Sequence, residues 1–169
     1  KYNAWTDGIM STIAEKEGDK WGTATVLCVT MSNSVSGTES DYFAATEEVG
    51  GKNLADWSEK TKKFDKGANW LYDEKYNAQF MFHFKSMSYP DVPSQSDIDK
   101  YTGYFENTYT YKDVHGYYLI NGVLPLPVRN AIMAETMYSD CFEEGWAQSI
   151  LQEFVSDYLE IDYDTSKDQ

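Results

Sequence analysis

The sequence YYLINGVLPL, Tyr117–Leu126, joins two apolar runs at Asn121-Gly122. Asn-Gly readily adopts the positive φ angles that a two-residue type I′ turn requires, so this stretch predicts a β-hairpin at the centre of a sheet. Pro125 and Pro127 have no N–H to donate to a sheet ladder. We therefore expect the chain to leave the sheet at these prolines and to enter a helix.

Two upstream stretches predict further strands. In Asn77–Met87, the phenylalanines at positions 80, 82 and 84 alternate with Met81, His83 and Lys85. This period of two is typical of a strand with one face in the core, and the opposite face of an antiparallel sheet usually meets water. Trp21–Ser32 is rich in β-branched residues and apolar on both faces, which indicates a strand covered on both sides.

Helical periodicity dominates both ends of the chain. Residues 2–17 predict an amphipathic helix, Leu54–Phe64 another, and the segment after Pro127 two more, of which the last carries an apolar stripe from Trp146 to Leu159. Strands bracketed by helices indicate an α+β fold. The expected architecture is an N-terminal helix, an antiparallel sheet of about four to five strands, and two C-terminal helices packed on the sheet.

Size and composition favour one domain. The chain has 169 residues, of which 41% are hydrophobic, and this is enough for a single sizeable core. We expect one α+β domain over residues 1–160 and an acidic tail, 161–169, that frays. No run approaches the ~20 consecutive apolar residues that a membrane-spanning helix needs.

The compartment is left open by the sequence. The first residue is Lys1 rather than Met, which fits a processed or trimmed chain. Removal of an upstream signal would be consistent with an extracytoplasmic or secreted location.

The formal net charge of −14 narrows the choice of partners. A surface of this sign repels nucleic acid and anionic lipid, so we expect no nucleic-acid partner. It would attract a basic protein or a metal cation, but an acidic surface also simply keeps a protein soluble.

The sequence lacks the motifs of several large enzyme classes. GxSxG, HExxH, GxxxxGK[ST], GxGxxG and the EF-hand spacing do not occur, and each encodes a geometry that its chemistry requires. Cys28 and Cys141 form no CxxC pair, and their small, apolar neighbours favour two buried thiols, although a disulfide stays open. We predict no metal site and no cofactor.

His83 and His115 are the only histidines, and imidazole is the side chain whose ordinary pKa lies near neutrality. If the sheet brought them together with an acid, they could transfer protons. This gives the alternative function, a small enzyme with a His/acid pocket in the sheet. We favour the plainer interpretation, a strand residue and a turn residue without catalytic roles.

Arg129 is the only arginine, and it falls in the first turn of the helix expected after Pro127. A helix N-terminus favours anions, and a guanidinium can clamp a carboxylate with two hydrogen bonds. Arg129 is therefore a candidate ligand contact. A pairing with one of the many acids of the chain is the competing interpretation.

Aromatic residues are unusually frequent, with 14 Tyr, 8 Phe and 5 Trp. Tyr109, Tyr111 and Tyr117 lie close to the expected hairpin and join His83, His115 and Arg129 as candidate binding residues. Tyrosine combines an apolar face with a polar tip, which suits ligand and protein contacts. Cross-strand aromatic pairing would explain the same residues structurally.

Together these features favour a non-enzymatic binding or interaction domain. We expect either a subunit of a larger assembly or an extracytoplasmic ligand-binding module that uses a tyrosine-rich hairpin face. Its partner would be a protein or a small ligand.

Overall fold

The computed structural model describes residues 2–30, 33–64, 69–87, 94–103, 105 and 116–168. These residues form five α-helices and six β-strands. The helices are α1 (Tyr2–Glu17), α2 (Asp41–Glu48), α3 (Gln95–Thr102), α4 (Leu126–Met137) and α5 (Trp146–Asp157). The strands are β1 (Ala24–Thr30), β2 (Ser34–Ser36), β3 (Gly51–Asn53), β4 (Thr61–Lys63), β5 (Phe80–Lys85) and β6 (Tyr117–Asn121).

The strands form one mixed sheet in the order β4-β2-β1-β5-β6, and β3 pairs with the first half of β1. The neighbours β1, β5 and β6 are parallel, whereas β2 is antiparallel to both β1 and β4. The predicted α+β class is confirmed, but the antiparallel arrangement of the central strands is wrong. Parallel neighbours need long crossover connections, and the chain supplies them with segments that contain α2 and α3.

The hairpin predicted at Asn121-Gly122 is also wrong. β6 ends at Asn121, whose side-chain oxygen accepts a hydrogen bond of 3.1 Å from the N–H of Val123. Gly122 does not have a positive φ, and its N–H donates to the carbonyl of Lys85. Asparagine forms such local turns readily, and proline suits the first turn of a helix. The stretch is therefore a strand, a turn and the start of α4.

The sheet has an apolar layer on each face. On one face, α1, α2 and α4 cover Val26, Cys28, Phe82, Phe84 and Ile120. The other face carries Leu27, Val29, Val35 and Met81 against residues that include Trp57, Leu71, Tyr76 and Phe105. The expectation that β1 is covered on both sides is confirmed.

The second apolar layer changes the environment of β5. We expected Met81, His83 and Lys85 to face water, but Met81 and His83 are buried and Lys85 is half-buried. The reason is tertiary, because a parallel strand in the interior of a sheet has both faces covered.

The C-terminal helices stack outward from the sheet. α4 packs on the sheet, and α5 packs on α4 through Val128, Ala131, Ala147, Ile150 and Leu151, among others.

The segment beyond α5 returns to that helix. Gln148 and Gln152 hydrogen-bond to Thr165, which is 1% exposed. The division into a domain over residues 1–160 and a tail over 161–169 stays a prediction.

The helix predicted over Leu54–Phe64 does not form. The segment is irregular as far as Lys60 and then forms the short strand β4. Trp57 and Phe64 nevertheless lie in the core, because they pack in an aromatic cluster with Trp70 and Tyr76.

Two further expectations concern the cysteines and the membrane. Cys28 and Cys141 are buried free thiols, as their neighbours indicated. Burial raises the pKa of the Cys28 thiol to about 12. None of the helices in the described residues is long and apolar enough to cross a bilayer.

The start of α3 makes a testable electrostatic contact with the sheet. The Ser94 hydroxyl and N–H donate to Asp97 at 2.7 and 3.1 Å, and Lys85 on β5 donates to the same carboxylate at 3.1 Å. These hydrogen bonds lower the pKa of Asp97 to about 2. A lowered carboxyl pKa stabilises the fold above the unfolded-state value of about 3.9, and this contribution is lost as the pH falls toward about 2.

We therefore expect Ser94→Ala to raise the pKa of Asp97 toward its ordinary value, so that the contact is lost at a higher pH. An NMR pH titration of the Asp97 carboxyl measures this. Ser96→Ala is the control, because Ser96 hydrogen-bonds to Ser94 but not to Asp97. An unchanged Asp97 pKa in Ser94→Ala would contradict the assignment.

Candidate ligand-binding site

The structure separates the residues that the sequence grouped as candidates. Tyr109, Tyr111 and His115 lie outside the described residues. His83 and Tyr117 lie on one face of the sheet, and Arg129 lies on the other, where its guanidinium contacts Phe84.

His83 and Tyr117 are neighbours in the core. His83 is fully buried, and its Nδ1 forms a short hydrogen bond with the Tyr117 hydroxyl. The rings of Tyr101 and Phe105 pack edge-on against the imidazole. Burial, and to a lesser degree Tyr101, raises the pKa of Tyr117. These contacts indicate a structural pair that holds α3 against the sheet, and the proposed His/acid pocket stays a prediction.

Arg129 occupies a different position, in the first turn of α4. Its guanidinium carbon lies 5.3 Å from the ring centroid of Tyr42 and 5.9 Å from that of Phe84. These two rings stack on each other with centroids 4.5 Å apart and planes 18° apart. Tyr42 belongs to the first turn of α2 and Phe84 to the end of β5. We call these three residues the arginine cluster.

Arg129 makes no side-chain hydrogen bond with the described residues. Its Nε is buried and makes no hydrogen bond within the described parts of the chain. None of the ion pairs among those residues includes it. The competing interpretation, an Arg129 paired with a nearby acid, is therefore not what the described residues show. Aromatic faces stabilise a cation by about 0.5–2 kcal/mol without using its N–H groups.

A cavity of about 210 Å³ lies beside the arginine cluster and shares Tyr42 with it. We call it the Thr30 cavity. It is lined by Thr30, Glu39, Ser40, Asp41, Tyr42, Lys60 and Thr61. It therefore lies where the end of β1 and the start of α2 approach the edge strand β4.

Unpaired hydroxyls belong to the sheet face near this cavity. Thr30 is 8% exposed and Ser36 is fully buried, and neither side-chain oxygen has a hydrogen-bond partner in the described structure. The register places Thr30 opposite Ser34, so Thr30, Ser34 and Ser36 share one face. A buried hydroxyl without a partner costs about 1–3 kcal/mol, so these oxygens are a feature to be explained.

The loop before α2 positions both features. Ser40 is the N-cap of α2, and its side chain accepts a hydrogen bond from the N–H of Tyr42. The N–H of Gly37 donates to the carbonyl of Lys60, and that of Thr38 donates to the carbonyl of Trp57. The loop is thus fastened to the chain beside β4 before it delivers Tyr42 to Phe84.

The site lies at the edge where the parallel strands end. β1, β5 and β6 end at Thr30, Lys85 and Asn121, and α4 begins shortly after β6. We call this the carboxyl edge of the sheet. Ligands of sheets with helices on both faces bind characteristically outside the carboxyl ends of the parallel strands. No group of three or more potential metal-ligating His, Cys, Asp or Glu side chains occurs in the described residues.

Sequence analysis missed Tyr42, Phe84 and Thr30 as site residues. Serine is a typical N-cap residue, so Ser40 could have placed Tyr42 in the first turn of a helix, as Pro127 placed Arg129. The contact between the two turns depends on the parallel strand order, for which the sequence held no local signal.

Comparison with known proteins gives similarities of fold only. No family model and no curated protein matches the chain. Solved structures do match, among them the TroA-like periplasmic binding protein FepB of Veillonella parvula, with a TM-score of 0.71 and 13% identity. The match covers 96% of this chain and 52% of that protein.

Two further structures give the same result. Helicobacter pylori CeuE with Ni(II) bound has a TM-score of 0.64 and 14% identity, over 96% of this chain and 53% of CeuE. The Haemophilus influenzae molybdate periplasmic binding protein MolA has a TM-score of 0.65 and 16% identity, over 96% of this chain and 49% of MolA. The chain therefore spans about half the length of these proteins, and it has the α+β fold found in that half.

A substitution at Gly37 tests whether the loop before α2 has to lie this close to the segment that precedes β4. A Cβ at position 37 would lie 2.1 Å from the carbonyl oxygen of Glu59 and 2.5 Å from the Trp57 ring. We expect Gly37→Ala to lower the free energy of unfolding by about 2–3 kcal/mol, because a backbone oxygen and a buried ring cannot both move away.

Denaturant unfolding measures that loss. Gly8→Ala is the control, because a Cβ at position 8 of α1 has no neighbouring heavy atom within 4 Å. Equal stability of the two variants would show that the loop adapts without cost.

Proposed function

We propose that this chain is a ligand-binding half of an extracytoplasmic solute-binding protein, and that a small ligand binds at the carboxyl edge with Arg129 as its charged contact. The observation that carries the proposal is that Arg129 contacts aromatic rings but has no hydrogen-bond partner among the described residues. Its charge is held by two aromatic rings, and its donors are left unpaired in the described residues of a chain with 28 acids.

The position of Arg129 has an energetic cost. A half-buried guanidinium loses part of its hydration, and in most proteins a carboxylate or carbonyl compensates for the loss. Here the rings of Tyr42 and Phe84 fix the position of the charge without satisfying its N–H groups. A ligand with an anionic group would complete the site with charge-assisted hydrogen bonds, and the N-terminus of α4 favours the same sign of charge.

The solved structures support this proposal in two respects. FepB and MolA are named as periplasmic binding proteins, and the molybdate bound by MolA is an oxyanion, the class of ligand that a guanidinium prefers. They are about twice as long as this chain, so the proposal assigns it half of a binding protein and leaves the other half of the site to a second domain.

The tyrosine-rich face has a narrower role in this proposal. Tyr117 contacts His83 inside the core, so we do not assign it to the ligand. Tyr109, Tyr111 and His115 stay predicted binding residues. An extracytoplasmic location and a role within a larger assembly are likewise parts of the proposal.

The single arginine provides a direct test. Because Arg129 is the only arginine of the chain, an isotope-labelled sample gives a single arginine side-chain Nε–H signal, and this signal reports on Arg129 alone. We expect caproate, a carboxylate without other polar groups, to shift that signal in a saturable titration followed by NMR. We expect Arg129→Gln to weaken caproate binding about 10-fold or more, because a hydrogen-bonded charge pair contributes roughly 1.5–3 kcal/mol.

Lys52→Gln is the matched control. It removes one positive charge from β3, which pairs with the opposite half of β1 from Thr30. If Lys52→Gln and Arg129→Gln weakened binding equally, or if saturating caproate left the Arg129 signal unmoved, the proposed function would be wrong at this site.

A further inference from the structure

One residue that lines the Thr30 cavity has an unsatisfied hydroxyl. Thr30 lines the cavity, and its Oγ1 has no hydrogen-bond partner among the described residues. Ser36 lies on the same face of the sheet with its Oγ in the same state. A cavity of about 210 Å³ is large enough for a ligand group.

A nearby threonine shows that unpaired hydroxyls are not a general property of this core. Thr46 on α2 is also fully buried, but its hydroxyl donates to the carbonyl of Tyr42 at 2.8 Å and lies 2.8 Å from the Cys28 sulfur. The fold therefore satisfies Thr46, whereas Thr30 at the cavity and Ser36 on the same sheet face have no partner among the described residues.

The charged side chains that line the cavity sum to one negative charge. Glu39 and Asp41 contribute two carboxylates, and Lys60 contributes one positive charge. The Tyr42 N–H in the first turn of α2 is already used by the Ser40 side chain. A donor-rich, positively charged group meets complementary carboxylates and hydroxyl oxygens there.

We propose that the Thr30 cavity binds a primary ammonium group of the same ligand whose anionic group meets Arg129. The ligand would then be zwitterionic, with its two ends on either side of Tyr42. This inference rests on the proposed function, since it names the chemical class of that ligand. Thr30 lines the cavity with its Oγ1 buried, and rotation about χ1 would bring that oxygen to the ammonium group.

Three probes of equal chain length separate the two ends. Aminocaproate carries both charges, caproate only the carboxylate, and hexylamine only the ammonium group. In NMR titrations we expect aminocaproate to shift both the Arg129 Nε–H signal and the Thr30 methyl signal. Caproate should shift only the first, and hexylamine only the second.

Variants at the cavity test the assignment of the ammonium group. We expect Asp41→Asn to weaken aminocaproate binding about 10-fold and to leave caproate binding unchanged, because it removes one complementary charge. Glu47→Gln is the matched control, since it removes the same charge from the other end of α2, where Glu47 is exposed. Equal losses in the two variants would reduce the effect to general charge attraction and overturn the proposal.

Stability measurements give an independent readout on the hydroxyls. Thr30→Val keeps the β-branched shape and removes an unpaired hydroxyl, so we expect Tm to stay constant or rise in the absence of ligand. Thr46→Val removes a bonded hydroxyl and should lower Tm by about 3 °C. Thr30→Val should also reduce binding of aminocaproate and hexylamine at least several-fold, without affecting caproate.

The outcomes distinguish this inference from the proposed function. If hexylamine and aminocaproate left the Thr30 methyl signal unmoved at saturating concentrations, the cavity would be a water site and the inference would be wrong, even with caproate bound at Arg129. If caproate failed at Arg129 while hexylamine shifted Thr30, the proposed anion contact would be wrong and the ammonium site would stand alone.

Discussion

Parallel pairing of β1, β5 and β6 is the constraint on which the rest of the structure depends. It buries both faces of β5, so that His83 lies in the core. It also brings the ends of three strands to one edge, where the first turns of α2 and α4 meet. With antiparallel neighbours, these ends would alternate between the two edges of the sheet. The three residues of the arginine cluster would then not be brought together.

The charges of the described residues follow two patterns. Lys20, Lys75 and Lys85 each form an ion pair with a carboxylate, as is usual at a protein surface. Arg129 instead lies over Tyr42 and Phe84, although acids outnumber basic residues twofold in the chain. Aromatic rings fix a guanidinium in place and leave its donors free, which a carboxylate partner would not do. Lys62 also lies over aromatic rings, those of Trp57 and Trp70, so it is the buried, unpaired Nε of Arg129 that makes the carboxyl edge a candidate site.

The sequence predicted correctly the elements whose formation depends on residues close together in the chain. The alternation around Phe82 predicted a strand, and the spacing after Pro127 predicted a helix with Arg129 in its first turn, and both form. The Asn121-Gly122 signal failed because its hairpin interpretation required β6 to turn back on itself. Burial of β6 beside β5 in parallel register made the same residues a turn into α4. The helix expected over Leu54–Phe64 failed similarly, since edge pairing of β4 with β2 and aromatic packing outweighed a helical period.

The sequence by itself determined the α+β class, the apolar faces of β1 and β5, the first-turn position of Arg129, and an acidic composition that disfavours nucleic acid. Each of these follows from periodicity, capping or charge within a short stretch of chain. Only the tertiary structure decided the strand order, the burial of His83 against Tyr117, and the meeting of Tyr42, Phe84 and Arg129. These contacts join residues more than thirty positions apart, and their geometry depends on which strands become neighbours, a choice that local propensity does not encode.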